Sequence, residues 1–276
     1  MDKKYLFLFL TNLRNSSLII CMAIVTFTSD LGMRDAYVAI VKARILTLNP
    51  NQIIIDISHD VKAANLADGA FILGSSFAAF PKGTVHLVAI DSIGRPGNKY
   101  IATEIDGHYF IGADNGLFSL ISNNLPSGIV ELEKPDNDNF PARDVFADAA
   151  VKLSSGTDIN DLGEPLDEMH RLLGRQVKAT RKEIAGHVIK VDHFGNLITS
   201  IPKVDFDILS KDKNYTIGFG RETCNSVNTS SNEVEAGDCY VLFNFLGLME
   251  IGIRNGNASS LLGLDFDSPV WIKFEE

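Results

Sequence analysis

AIVTFTSDLGMRDAYVAIVKARILTLNPNQIIIDI, residues 23–57, decides the fold class. It opens on a continuous β-rich apolar run, Ala23–Thr28. The period then changes: across Asp35–Leu48, the residues Tyr37, Ile40, Val41 and Ile45 fall on one face of a helix. Gln52–Ile57 (QIIIDI) reads as another strand of the buried type. Leu66–Phe80 has helical spacing and Thr84–Ile90 reads as a third strand. Strand–helix alternation of this kind predicts an α/β domain with a mostly parallel sheet. Farther on, Tyr100–Ile105 and His108–Ile111 flank Asp106-Gly107, a strong hairpin signal. Asn115–Ile121 and Arg143–Leu153 read as helices.

Around residues 155–182 the pattern loosens into glycine, proline and charge. From Ile184 onward it becomes β: Ile184–Val191, Leu197–Ile201, Tyr215–Phe219, Tyr240–Asn244, Leu248–Ile253 and Val270–Phe274 are short apolar runs separated by turn residues. They predict a smaller all-β domain, a barrel or a sandwich. The expected organisation is an extension at 1–21, an α/β N-terminal domain at 22–180 and a β-rich C-terminal domain at 184–276. The extension has a basic start and a six-residue apolar stretch, YLFLFL, too short for a secretion-signal core and followed by no small-residue cleavage site. Met22 therefore reads as the working start, with a poor secretion signal as the minority reading.

With 276 residues, 45% of them hydrophobic, the chain can bury a sizeable core. A formal net charge of −10 argues against nucleic-acid binding through a basic surface. No apolar stretch is long enough to span a bilayer. Of the cysteines Cys21, Cys224 and Cys239, no pair has CxxC spacing, so the reading is reduced thiols in a cytoplasmic protein. The chain lacks GxSxG, HExxH, GxxxxGK[ST] and a GxGxxG after the first strand. No two histidines sit at ligand spacing on a helix, so metal catalysis is not indicated.

Polar residues at strand ends remain. Open α/β sheets bind ligands at the carboxyl ends of their strands. Asp30 follows the first strand, and its two acceptor oxygens suit a vicinal diol such as a ribose. From spacing alone, a cap on the following helix is the plainer reading. His59, in IDISHD, reads as a satisfied structural residue. Asp91 ends the third strand and enters the loop DSIGRPGNK, where a catalyst and a turn residue are both open. Asp114-Asn115-Gly116 reads as a turn and helix cap, and Asp144 as a charge that complements a helix dipole. In VDHFGN (191–196), Phe194 could stack on a flat ring, and Asp192 and Asn196 could bind polar groups.

Seven stretches in order, TFTSDLGMRDAYVAIVKARIL, IIIDISHDV, FPKGTVHLVAID, HYFIGADNGLFS, ARDVFADAA, VDHFGNLITSI and EIGIRNGNAS, resemble the S-adenosylmethionine hydroxide adenosyltransferases, relatives of the S-adenosylmethionine-dependent fluorinase and chlorinase. The resemblance runs from about Met22 to the C-terminus. It implies an α/β domain followed by a β-rich one, and a homotrimer with S-adenosylmethionine held between subunits. S-adenosylmethionine is then the substrate, and no cofactor is implied. The implied reaction is in-line displacement at C5′ by water, giving adenosine and methionine. Alternatives are a non-catalytic adenosine or S-adenosylmethionine binder, a trimer with a repurposed pocket, and, less favoured, a halogenase. Among the residues, Asp30 resembles a ribose ligand and Asp192 the holder of the methionine amino group. Phe194 and Asn196 resemble adenine or ribose contacts, Phe140 an aromatic wall, and the Ile253 backbone the reader of the adenine edge. Asp91 stands where hydrolytic members keep the aspartate of a water-activating Asp–Arg–His set. Asn98 and Pro141 occupy the arginine and histidine positions. Ala64 replaces an aromatic, and Phe245 a serine. Arg95 and Lys99 are the candidates to replace the arginine.

Overall fold

The computed structural model describes residues 23–93, 97–122, 124–135 and 139–275. The expected extension at 1–21 lies outside them. The described residues form two compact units. The first comprises 23–64, 79–115 and 124–169, and the second 65–78, 116–122 and 170–275.

The first unit is built on a seven-stranded mixed sheet. Its strands are β1 (Val25–Ser29), β2 (Ile54–Ser58), β3 (Val85–Ala89), β4 (Tyr100–Ile105), β5 (His108–Ala113), β6 (Gly128–Leu132) and β7 (Gly163–Pro165), in the order β2-β1-β3-β5-β4-β6-β7. β2, β1, β3 and β5 run parallel, and β4, β6 and β7 extend the sheet through antiparallel pairings. β1 and β3 are buried at every position, as central parallel strands covered on both faces are. β2 corrects the expectation of full burial. It is the edge strand and is only half covered, because the same apolar run serves an edge or a centre. Asp106 and Gly107 both have positive φ, 54° and 74°, which makes the predicted tight turn between β4 and β5. β6 and β7, which the pattern did not announce, are short and carry glycine, glutamate and proline.

Among the described residues the α-helices are α1 (Tyr37–Leu48), α2 (Leu66–Gly74), α3 (Ala147–Ser154), α4 (Lys203–Leu209) and α5 (Ala258–Leu262). On α1 the core stripe is Val38, Val41 and Ile45, one residue round from the predicted face. Tyr37 and Ile40 stay half exposed. α1 packs beside α3, and Arg44 makes a two-point ion pair to Asp148 at 2.7 and 2.6 Å. Predicted helices are shorter than their periodicity. α2 stops at Gly74, because the hydroxyls of Ser75 and Ser76 donate back to the carbonyls of Phe71 and Ile72. Residues 115–121 hold only a 3₁₀ turn, Leu117–Leu120, and α3 is preceded by a π turn, Ala142–Phe146.

The second unit is an all-antiparallel sheet of eight strands: β8 (Lys178–Ala179), β9 (Glu183–Val191), β10 (Leu197–Pro202), β11 (Tyr215–Phe219), β12 (Glu222–Cys224), β13 (Cys239–Phe243), β14 (Leu248–Ile253) and β15 (Pro269–Phe274). The order is β12-β11-β15-β9-β10-β14-β13, with β8 paired to β9. It wraps one core that includes Ile184, Leu197, Ile217, Val241, Ile251 and Ile272. α2 belongs to this unit, where Lys190 of β9 forms an ion pair with the nearly buried Asp68. Cys224 and Cys239 are free and half-buried.

Candidate functional site

At the carboxyl ends of β1 and β3, in-register parallel pairing sets Ser29 beside Ala89 and leaves Asp30 and Asp91 in the loops just beyond. The Asp30 amide donates to the Ala89 carbonyl at 3.2 Å. One oxygen of its carboxylate, Oδ2, accepts from the amides of Ala64 (2.8 Å) and Asp91 (3.1 Å). The plainer reading of Asp30 as a helix cap is thereby corrected: the residue at the N-cap of α1 is Ala36, and no side chain caps it. Both amide donors belong to residues in the left-handed region, φ 54° at Ala64 and 46° at Asp91. Aspartate tolerates that region, as Asp106 does in its turn, whereas alanine adopts it only where its surroundings hold it. Asn115 reaches beyond its own turn. Its carboxamide Nδ2 donates to the Ile90 carbonyl at 3.0 Å. Asp91 itself is half-buried, and among the described residues no donor meets its carboxylate.

Beneath this lies a constellation the sequence did not announce. Ser29 Oγ is 2.7 Å from His59 Nδ1, and His59 Nε2 is 3.1 Å from Asp56 Oδ1. Burial pushes the Asp56 carboxyl up, but the Lys42 hydrogen bond and the neighbouring His59 outweigh it and hold it below the usual carboxylate range. The order Ser–His–Asp suggests a nucleophile, but Ser29 and His59 are sealed in the interior, with the Phe27 ring edge-on to the imidazole at 4.6 Å. The role is structural: the Ser29–His59 hydrogen bond braces the ends of β1 and β2, while His59 Nε2 lies close to Asp56 without a hydrogen bond of good geometry. A second buried chain joins Thr26, His86 and His108 across β1, β3 and β5, at 2.7 and 3.3 Å. Burial, with the neighbouring His108, drives the His86 imidazole down to about 3.

In the second unit, VDHFGN is a turn that organises itself. Asp192 Oδ1 accepts from the amides of Phe194 (2.9 Å) and Asn196 (2.8 Å), and Oδ2 from the Asn196 carboxamide (3.0 Å). Asn196 Oδ1 in turn accepts from the Tyr240 hydroxyl at 3.1 Å. Burial and the charges of Glu250 and Asp192 raise the Tyr240 hydroxyl, so it stays a donor. Gly195 sits at φ 85°, and a side chain there would collide with Asn257, the residue that caps α5. Phe194 is left 74% exposed. A cleft of ≈ 590 Å³ opens here, lined by Phe194, Asn196, Tyr240, Ile253, Arg254 and Asn257 among others. The Arg254 guanidinium is fastened to the Val234 carbonyl at 2.6 Å.

Residues 25–163 match the SAM hydroxide adenosyltransferase N-terminal domain, and residues 186–271 match the C-terminal domain of the same proteins. The chain belongs to the SAM hydroxide adenosyltransferase family. It is 33% identical over 262 residues to a protein of Methanocaldococcus jannaschii named (R)-S-adenosyl-L-methionine hydrolase, covering 88% of this chain and 93% of that one. A Thermus thermophilus protein of the same name is 28% identical, with 89% and 98% covered. A fluorinase of Nocardia brasiliensis is 25% identical over 71% of this chain and 75% of its own. Among solved structures, a conserved protein from Thermotoga maritima superposes with a TM-score of 0.82 at 29% identity, covering 91% of this chain and all of that one.

Within this member of the SAM hydroxide adenosyltransferases, the positions that depart from the resemblance have definite surroundings. Asn98, at the arginine position, accepts an ammonium hydrogen bond from Lys134 on its carbonyl. Lys99 is paired with Glu131 at 2.7 Å, and Arg95 lies outside the described residues. Pro141, at the histidine position, opens the π turn. Phe140 beside it is half-buried, with Tyr37 edge-on at 5.7 Å and the Arg143 guanidinium over its ring. Arg143 is also locked to Asp144 by two hydrogen bonds. Phe245 is 92% exposed at the tip of the β13–β14 turn, which Asn244 folds by accepting from the amides of Leu246 and Leu248.

Proposed function

We propose that this protein hydrolyses S-adenosylmethionine to adenosine and methionine. The observation that carries the reading is Asp91, half-exposed at a strand end and held in a left-handed conformation beside Asp30, in a chain whose curated relatives include enzymes named as (R)-S-adenosyl-L-methionine hydrolases. Water attacks C5′ in line with the sulfonium. The oxygen–C5′ bond forms as the C5′–sulfur bond breaks, and the bonding pair returns to sulfur, leaving neutral methionine. Asp91 takes the proton that the attacking water sheds. The sulfonium already activates the carbon, so the protein's work is to orient the partners and exclude competing solvent.

In this reading the outer oxygen of Asp30 accepts from the ribose diol. Phe194 stacks on the adenine, while Asn196 and the Ile253 backbone meet its polar edge. Asp192 retains acceptor capacity for the methionine amino group, and Phe140 walls the pocket. The active form is a homotrimer with sites between subunits. The free thiols Cys224 and Cys239 suit a cytoplasmic setting. A halide nucleophile is the weaker reading, because a carboxylate at position 91 serves water and repels an anion.

A second reading, a binder of adenosine or S-adenosylmethionine without turnover, draws its support from Asn98 and Pro141, which offer neither a guanidinium nor an imidazole to Asp91. Chromatographic detection of adenosine, at enzyme concentrations comparable to substrate, separates the two. Adenosine above the spontaneous background is expected. Calorimetric binding with no adenosine would move the assignment to the binder, and light scattering reports the trimer in the same sample.

A further inference from the structure

The 90–91 peptide is gripped at both ends by side chains from elsewhere in the chain. Its N–H, on Asp91, donates to Asp30 Oδ2 at 3.1 Å. Its carbonyl, on Ile90, accepts from Asn115 Nδ2 at 3.0 Å. This peptide sets φ of Asp91, which is 46°. A half-turn flip would exchange the places of the N–H and the carbonyl. It would also carry φ of Asp91 to the negative side, where non-glycine residues ordinarily lie. The flip is therefore open to an unrestrained chain, since aspartate tolerates either side. The grip forbids it, since the flipped N–H would face the Asn115 amide donor and the flipped carbonyl would face the Asp30 carboxylate. Two mismatched pairs would replace two good ones.

We propose that Asn115 and the inner oxygen of Asp30 are positioning residues that aim the Asp91 carboxylate. Asp30 then has two tasks divided between its oxygens. Oδ2 holds the backbone of Asp91, and of Ala64 with it, while Oδ1 is left for the ligand. Asn115 acts on Asp91 through the 90–91 peptide. The kinetic consequence rests on the SAM hydrolase reading, whereas the structural consequence does not.

The test is Asn115→Asp, which keeps the shape but replaces the amide donor with an acceptor, together with Asn115→Ala. Hydrogen exchange of the Asp91 amide is followed by NMR, beside steady-state adenosine formation. Exchange at Asp91 is expected to quicken about 10-fold in both variants while the amides of Val85–Ala89 stay as in the wild type. The kcat for adenosine is expected to fall about 10-fold with KM within twofold, because aim is lost and binding is not. Should Asn115→Ala fail to fold, the isosteric Asn115→Asp carries the same comparison. Unchanged exchange at Asp91 overturns the proposal, and so does a fall in kcat/KM that comes from KM. If the wild type itself makes no adenosine, the hydrolase reading fails and the exchange measurement alone judges the clamp.

Discussion

The two polar regions of this protein are assembled in opposite ways. In the second unit, VDHFGN is folded largely by its own residues: the Asp192 carboxylate accepts its three hydrogen bonds from residues no more than four positions away. In the first unit, the groups gathered about Asp91 come from three loops besides its own, and the Asp30–Asp91 contact spans 61 positions. A local turn survives as a shape wherever it is placed. A cluster gathered by the sheet exists only while the sheet's register holds. The chemistry, on our reading, sits in the second kind of structure, where burial and register fix the geometry, and recognition of a flat ring sits in the first kind.

The largest effect that would sharpen this contrast is on rate. Asp91→Ala should lower adenosine formation by about 10²–10⁴-fold, the usual contribution of a positioned acid–base group, with the melting transition nearly unmoved. A loss below about threefold would mean that the strand-end cluster is not where the proton goes.

The next concerns stability in the first unit. His86 is neutral in the fold down to about pH 3, while an unfolded histidine protonates near its ordinary value of 6.5. Above pH 6.5 neither state binds the proton. Between 6.5 and 3 only the unfolded chain does, so stability falls as pH falls, by up to about 1.4 kcal/mol per pH unit from this group. Urea denaturation of the wild type and of His86→Phe across pH 7 to 4 should show the shallower slope in the variant. Parallel slopes would place the acid sensitivity elsewhere.

A third test breaks the local turn. Gly195→Ala forces a methyl group onto the Asn257 side chain at φ 85°, and should cost roughly 1–3 kcal/mol in urea denaturation, with weaker adenosine binding by calorimetry. The smallest expected effect is that of Phe194→Ala. With the ring 74% exposed, stability should change by no more than about 0.5 kcal/mol, while adenosine binding loses about 1 kcal/mol of stacking. Equal losses in stability and binding would make Phe194 a packing residue.

Much of the architecture was legible in the residues. Tyr100–Ile105, Tyr215–Phe219 and Leu248–Ile253 are strands at the predicted bounds, because strong alternation or β-branched runs end there on turn residues. Asp106-Gly107 turned the chain as its φ preferences require. The α1 face was misread by one residue, since Tyr37 and Ile40 are apolar enough to pass for core yet lie half exposed. Residues 115–121 read as a helix in the sequence because periodicity does not distinguish a 3₁₀ turn from an α-helix over so few positions. The Ser29–His59–Asp56 constellation had one faint signal, the parallel pairing that puts Thr28 beside Ser58, and that becomes visible only once β1 and β2 are known to be neighbours.

By itself the sequence determined what depends on near neighbours: an α/β unit ahead of a β unit, and the tight turn at Asp106-Gly107. Only the tertiary structure decided that Asp30 caps no helix, that Asn115 reaches the Ile90 carbonyl, and that Asp91 is turned into the left-handed region. Each of those depends on which strands lie side by side and in what register, and hydrogen bonds between distant loops leave no periodic trace along the chain.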